Sequence, residues 1–96
     1  MRNYEVMYIL KADLDEAARN ELIAKVNGII TDNGGKILSI DEKMGLRELA
    51  YPIKDQTKGY YVVVKISADN KATSEFDRLV KINPNVLRHL ITVAHE

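Results

Sequence analysis

The chain has 96 residues, 46% hydrophobic and 29% charged, with 14 basic side chains against 14 acidic ones and no cysteine. That length and composition exclude a disordered polymer and lead us to expect one core, no linker and a single domain over residues 1–96. The missing cysteines exclude disulfides, thiolate nucleophiles and thiolate metal sites, and zero net charge supplies no global field toward a polyanion.

The first predicted element is a strand over Tyr4–Leu10, rich in aromatic and β-branched residues. Period-two alternation sends Tyr4, Val6, Tyr8 and Leu10 to one face and Glu5, Met7 and Ile9 to the other. Both faces are largely apolar, as in a central strand. Asp13 then offers an oxygen to the free amides of a helix start, with Glu16 three residues on as in a capping box. Leu14, Ala18, Leu22, Val26, Ile29 and Ile30 recur at helical spacing and predict one apolar stripe, ending near Asp32. Asn33-Gly34-Gly35 tolerates positive φ and stops the helix.

Lys36–Glu42 begins a second strand, and alternation from Met44 to Ile53 allows that strand to continue. Pro52 cannot donate to a ladder, which places this stretch at a sheet edge or just outside it. Lys54–Gly59 reads as a polar turn, and Tyr60–Ile66 is the strongest strand pattern in the chain. Asp69 or Asn70 can cap a second helix whose buried face is Ala72, Phe76, Leu79 and Val80. Asn83-Pro84-Asn85 breaks that helix before a last strand over Val86–Val93.

The order is β-α-β-β-α-β. Right-handed crossovers then predict an α+β, ferredoxin-like fold: a four-stranded antiparallel sheet in the order 4-1-3-2, with two helices on one face. Apolar runs such as Val6–Leu10 and Tyr60–Val64 fall far short of the ~20 residues that span a bilayer, and the opening residues resemble no secretion signal. A soluble, intracellular protein with no membrane partner is expected.

This architecture hosts enzymes, metal proteins, sensors and RNA binders, so function is sought in particular residues. Nucleophilic catalysis needs a base; of the two histidines, His89 falls within the last predicted strand and His95 beyond it, and a strand histidine on an apolar-rich segment is more often a packed or half-exposed residue than a base. No His–carboxylate spacing fits a metal, and no glycine-rich phosphate loop occurs. The carboxylates of Asp13, Asp15 and Glu16 suit a helix dipole better than a cation. No enzyme activity, metal, cofactor or small-molecule substrate is therefore expected. Lys58-Gly59-Tyr60-Tyr61-Val62-Val63-Val64-Lys65 partly matches the signature strand of RNA-recognition motifs, agreeing at Lys58, Gly59, Tyr60 and Val63. Val62 and Lys65 stand where stacking aromatics belong, and each base stacked contributes ~1–3 kcal/mol. Base stacking on the sheet is therefore not expected.

Gly45-Leu46-Arg47-Glu48-Leu49-Ala50-Tyr51-Pro52-Ile53 resembles the Arg-Arg-Leu-Ala-Tyr-x-Ile signature of the bacterial small-subunit ribosomal protein six family. Met1-Arg2-x-Tyr4-Glu5-Val6-Met7-Tyr8-Ile9, Gly59-Tyr60-Tyr61, Glu75-Phe76-Asp77-Arg78-Leu79 and Val86-Leu87-Arg88-His89 resemble it too, in order and at matching spacing. The resemblance implies a structural protein of the small-subunit platform that binds small-subunit (16S) ribosomal RNA together with ribosomal protein eighteen. A shared site would reconcile RNA binding with zero net charge, because a few placed cations suffice.

Carried over by position, Arg2, Arg47, Tyr51 and Arg88 are the implied RNA or partner contacts; apart from that carry-over, Lys43, Lys54 and Lys58 offer loose phosphate contacts, weakened by flanking Asp41, Glu42 and Asp55. Arginine suits phosphate because its planar fork donates parallel hydrogen bonds. The plain reading of each is a solvated or internally paired side chain. Glu48 departs from the family's second arginine and would repel phosphate unless it pairs with Arg47 or a basic partner. The alternative function is a small-molecule-sensing ferredoxin-like regulatory domain that dimerises through sheet edges; it leaves the Arg-x-Leu-Ala-Tyr-Pro-Ile stretch without a role.

Overall fold

The structure, a computed structural model, describes residues 1–94; His95 lies outside the described residues. Its elements are β1 (Arg2–Lys11), α1 (Glu16–Asp32), β2 (Lys36–Ile53), β3 (Gln56–Ala68), α2 (Asn70–Lys81) and β4 (Val86–Val93). The four strands form one antiparallel sheet in the order β2-β3-β1-β4, the expected 4-1-3-2 order read from the other edge.

Alternation builds the core. Val6 pairs with Val64 and Tyr8 with Val62, and all four point to one face, where they are buried against Leu22, Val26 and Ile30 of α1 and Phe76 and Val80 of α2. Each such side chain contributes ~1.5–3 kcal/mol by leaving water, so this face holds the sheet to the helices. One polar pair lies inside it: the Tyr8 hydroxyl donates to Asn27 Oδ1 at 3.0 Å. Burial pushes that hydroxyl's pKa up, keeping it neutral and a donor.

Helix α1 differs from the sequence reading at its start. Asp15, not Asp13, is the N-cap, and its carboxylate accepts from the Ala18 amide at 2.7 Å. The helix is therefore entered two residues later. Ala18 faces solvent, while Ile23 and Asn27 join the buried stripe. Asn33 and Gly34 (φ 87°) end the helix as expected, and the Gly35 amide closes on the Ile30 carbonyl at 2.9 Å. In α2, Asp69 is the N-cap without a side-chain bond to the helix amides, Thr73 is buried, and Leu79 is only partly covered.

The longest strand is β2, with 18 residues at a sheet edge, and it carries Pro52 as an edge permits. The six-residue turn expected over Lys54–Gly59 shrinks to Lys54-Asp55, both at positive φ (48° and 66°), closing the Ile53–Gln56 pair. These angles describe a two-residue hairpin turn whose twist matches its strands. Lys58 and Gly59 therefore belong to β3, and the β2–β3 hairpin is longer than the sequence reading made it.

Candidate nucleic-acid interface

The β1 ladder reaches its last pair with β3 at Lys11–Gly59, but β2 and β3 pair beyond it at Glu48–Lys58 and again at Ile53–Gln56, with residues 49–52 bulging out of the ladder opposite Thr57. Residues 48–58 thus form an arm projecting past the central strand. Gly59 sits at the base of that arm because a Cβ there would lie 2.3 Å from Ile9 Cγ2 and 3.3 Å from Leu49 Cδ2. Only a residue without a side chain lets the arm cross β1 so closely.

The arm curls toward the far edge of the sheet. Arg88 Nη1, on β4, donates to the Tyr51 hydroxyl at 2.6 Å, and Lys54 Nζ donates to the Val86 carbonyl at 3.3 Å. Strands β2 and β4 are the two opposite edges, so these bonds latch one edge to the other across the end of β1. They also gather Tyr51, Lys54 and Arg88 into one cluster. The bonds described occupy one nitrogen of the Arg88 guanidinium, which carries other N–H groups for a bidentate acceptor. Beside the cluster, on the sheet face turned away from the helices, Met7, Ile9, Tyr61 and Leu90 line an open hollow of about 270 Å³ with Arg88 at its rim.

Arg47 lies on the same hairpin, paired in register with Gly59. Its Nε donates to the Met44 carbonyl at 2.8 Å, inside an irregular stretch where residues 42–44 bulge out of the ladder between the Asp41–Val63 and Gly45–Tyr61 pairs. Asp41 Oδ1 accepts the Lys43 amide at 2.8 Å in the same bulge, so Lys43 stands beside Asp41 and Glu42, which dilute its charge. Glu48 and Lys58 face each other across the ladder. Arg47 and Glu48, as neighbours on a strand, point to opposite sides. Glu48 therefore matches a lysine of its own hairpin and not Arg47.

Arg2 is not part of this cluster. It pairs with Ala68 beside Asp69 and Asn70, at the start of β1, whereas the arm leaves the sheet at Lys11. The two ends of this ten-residue strand are ~30 Å apart at ~3.3 Å per residue. The residues singled out in the sequence thus divide into a convergent group (Tyr51, Lys54, Arg88), two cations on the hairpin (Arg47, Lys58), Lys43 in the bulge and a remote Arg2.

Three side chains missed in the sequence brace the hairpin from the helix side. The Arg19 guanidinium of α1 lies 4.3 Å over the Tyr60 ring, and the Tyr60 hydroxyl donates to Glu42 Oε1 at 2.9 Å. Desolvation, then the neighbouring Glu42 carboxylate, raises the Tyr60 pKa. No local pattern reports a contact between residues 19, 60 and 42. Tyr60 matters for RNA recognition in another way. It faces the helices with Val62, so the partial RNA-recognition match places its one matching aromatic on the wrong face for base stacking.

His89 projects under α2, with Nε2 2.6 Å from Asp77 Oδ1 and its ring edge-on to Phe76 at 6.2 Å between centroids. It is a packed structural residue. Among the described residues, no group of three or more His, Asp or Glu side chains is placed to hold a metal, and no helix is long and apolar enough to cross a membrane.

Known proteins share the sequence and the fold. A sequence model of the family described as ribosomal protein S6 matches residues 3–93. The small ribosomal subunit protein bS6 of Halalkalibacterium halodurans is 49% identical over 96 residues, covering all of both chains. That of Shouchella clausii is 48% identical over 92 residues, 96% of each chain. The solved structure of 30S ribosomal protein S6 from Thermotoga maritima superposes with a TM-score of 0.89 at 30% identity, covering 97% of this chain and 87% of that one.

Proposed function

The chain belongs to the ribosomal protein S6 family, and from that premise we propose that it docks onto small-subunit ribosomal RNA jointly with ribosomal protein eighteen, without catalysing a reaction. Its place is the small ribosomal subunit, in the cytoplasm. The observation that carries the finer reading is the latch between Arg88 and Tyr51. It holds the arm of residues 48–58 so that arginine and lysine side chains converge at one end of the sheet. Cations fixed on a hydrogen-bonded support lose little entropy on meeting a phosphate.

Zero net charge fits a shared site. The chain supplies a few cations, and a basic partner supplies the rest of the attraction to phosphate. The apolar hollow beside Arg88 suits a side chain of that protein partner, because it offers Met7, Ile9 and Leu90 as a floor. Arg47, Arg88 and Lys54 are assigned to RNA, Tyr51 to positioning Arg88, and Lys43 and Lys58 to weaker contacts tempered by neighbouring carboxylates. Arg2, at the far end of β1, is assigned to a separate contact with RNA or protein.

The test is titration of a small-subunit RNA fragment with this protein, alone and with ribosomal protein eighteen. Weak binding alone and strong joint binding are expected. Equal affinity with and without the partner would remove the shared site.

A further inference from the structure

We infer that Arg19 on α1 is a positioning residue for Arg47, acting through Tyr60 and the bulge in β2. The inference rests on the reading of the hairpin as the docking element. Its contacts form an unbroken series. The Arg19 guanidinium lies 4.3 Å over the Tyr60 ring; the Tyr60 hydroxyl donates to Glu42 at 2.9 Å; Glu42 opens the bulge of residues 42–44; and the Met44 carbonyl at the end of that bulge accepts Arg47 Nε at 2.8 Å.

The bulge is one of the stretches where β2 is loosely determined by its neighbour. Between the pairs Asp41–Val63 and Gly45–Tyr61, β2 spends three residues where β3 spends one, and Gly45 takes a left-handed φ of 55°. A strand interrupted in this way has lost ladder hydrogen bonds, so side chains must set its shape. Asp41 holds the Lys43 amide from one side and Tyr60 holds Glu42 from the other. Arg47 is exposed and takes its direction from the Met44 carbonyl, so a shift of the bulge re-aims its guanidinium.

Arg19 has no comparable role in the core. Its Nε is buried without a hydrogen-bond partner. A guanidinium holds such a position only when another interaction offsets the lost hydration, and the face of Tyr60 supplies it. The stack costs a buried donor and returns a fixed tyrosine. That arrangement suits a brace for the hairpin better than a source of stability.

The experiment is a double-mutant cycle on joint RNA binding with ribosomal protein eighteen, using Arg19→Ala, Arg47→Ala and the pair, with urea unfolding run alongside. Arg47→Ala and Arg19→Ala are each expected to weaken binding by on the order of tenfold, as for loss of one charge-assisted contact. The pair should be no weaker than Arg47→Ala alone, since neighbours in one network are not additive. Arg19→Lys keeps a cation over the ring and should restore most of the loss. Should Arg19→Ala fail to fold, Tyr60→Phe carries the same cycle, because it keeps the ring under the guanidinium and removes the hydroxyl that holds Glu42. Full additivity with Arg47→Ala, or wild-type binding by Arg19→Ala and Tyr60→Phe, overturns the inference while leaving the hairpin reading intact. Wild-type binding by Arg47→Ala removes the hairpin reading, and the role of Arg19 with it.

Discussion

Arg88 and Tyr51 lie on strands at opposite edges of the sheet, yet the arginine Nη1 sits 2.6 Å from the tyrosine hydroxyl. Two strands normally intervene between such residues. They meet because β2 and β3 outrun β1, and because Tyr51 lies in the stretch of residues 49–52 that bulges out of the β2–β3 ladder, where a strand bends and its twist increases. The contact turns a protruding hairpin into a braced arm. For the RNA docking proposed above, the bracing matters because cations on a loose hairpin would lose more entropy at each encounter with RNA.

The latch is an arrangement of exposed groups, and its loss should affect motion more than stability. Tyr51 is 55% exposed, so Tyr51→Phe is expected to lower unfolding free energy by only about 0.5–1 kcal/mol. Hydrogen exchange of amides over residues 48–58 should quicken in Tyr51→Phe and Arg88→Ala, with the amides of β1 unchanged. Unchanged exchange in the arm would show that the latch does not hold it.

Two glycines should respond to alanine with opposite signs. In α1, a methyl group at Gly28 would meet nothing within 4 Å, so Gly28→Ala should stabilise by about 0.5–1 kcal/mol through helix propensity and unfolded-state entropy. Gly59→Ala places a methyl against the branched Ile9 Cγ2 and should destabilise by about 1–3 kcal/mol, as overpacking does. Chemical denaturation of both variants reads the difference, and equal effects would contradict the close crossing of arm and β1.

Inside the core, Tyr8→Phe removes the donor to Asn27 Oδ1 and leaves a buried acceptor unpaired, at an expected cost of about 1–3 kcal/mol. Phe76→Ala, between Tyr8 and His89, should cost about 3–5 kcal/mol through lost burial and a cavity. Urea midpoints of the two variants test both values.

The acid limb of stability should depend on Asp77. The bond from His89, then that from Lys81, holds its carboxyl below the ordinary value of 3.8. A depressed folded-state pKa contributes stability that is fully present above the unfolded carboxylate pKa and is lost as pH falls through the folded one. Thermal melts of Asp77→Asn between pH 5 and pH 2 should therefore show a shallower fall than wild type below about pH 4. Because the Asp77 side chain is half exposed, the difference should shrink in high salt.

Much of the fold was legible because it rests on short-range pattern. The alternation of Tyr4–Leu10 placed β1 between two faces, Asn83-Pro84-Asn85 marked the end of α2, and Val86–Val93 coincides with β4. What escaped was decided at a distance or between equivalent local choices. Asp13 and Asp15 both offer a capping oxygen; Glu16 favoured the first by capping-box spacing, and Ala18 at the matching place gave the second no such mark. Asn27 broke the expected stripe because the tyrosine hydroxyl it satisfies belongs to β1. Lys54-Asp55 lacks the glycine or asparagine that flags a tight hairpin, so the turn looked long. The resemblance to family positions selected Arg47, Tyr51 and Arg88, but only the coiled arm shows that Tyr51 and Arg88 meet and that Arg2 stands apart.

The most direct test of the account is the salt dependence of joint RNA binding for wild type, Arg47→Ala and Arg88→Ala, plotted as log K against log salt. If the braced arm brings these arginines to phosphate, each substitution should lower affinity and make the slope shallower by ~0.7–0.9, the share of one phosphate contact. Three parallel lines, with the arginine variants binding as wild type does, would contradict it.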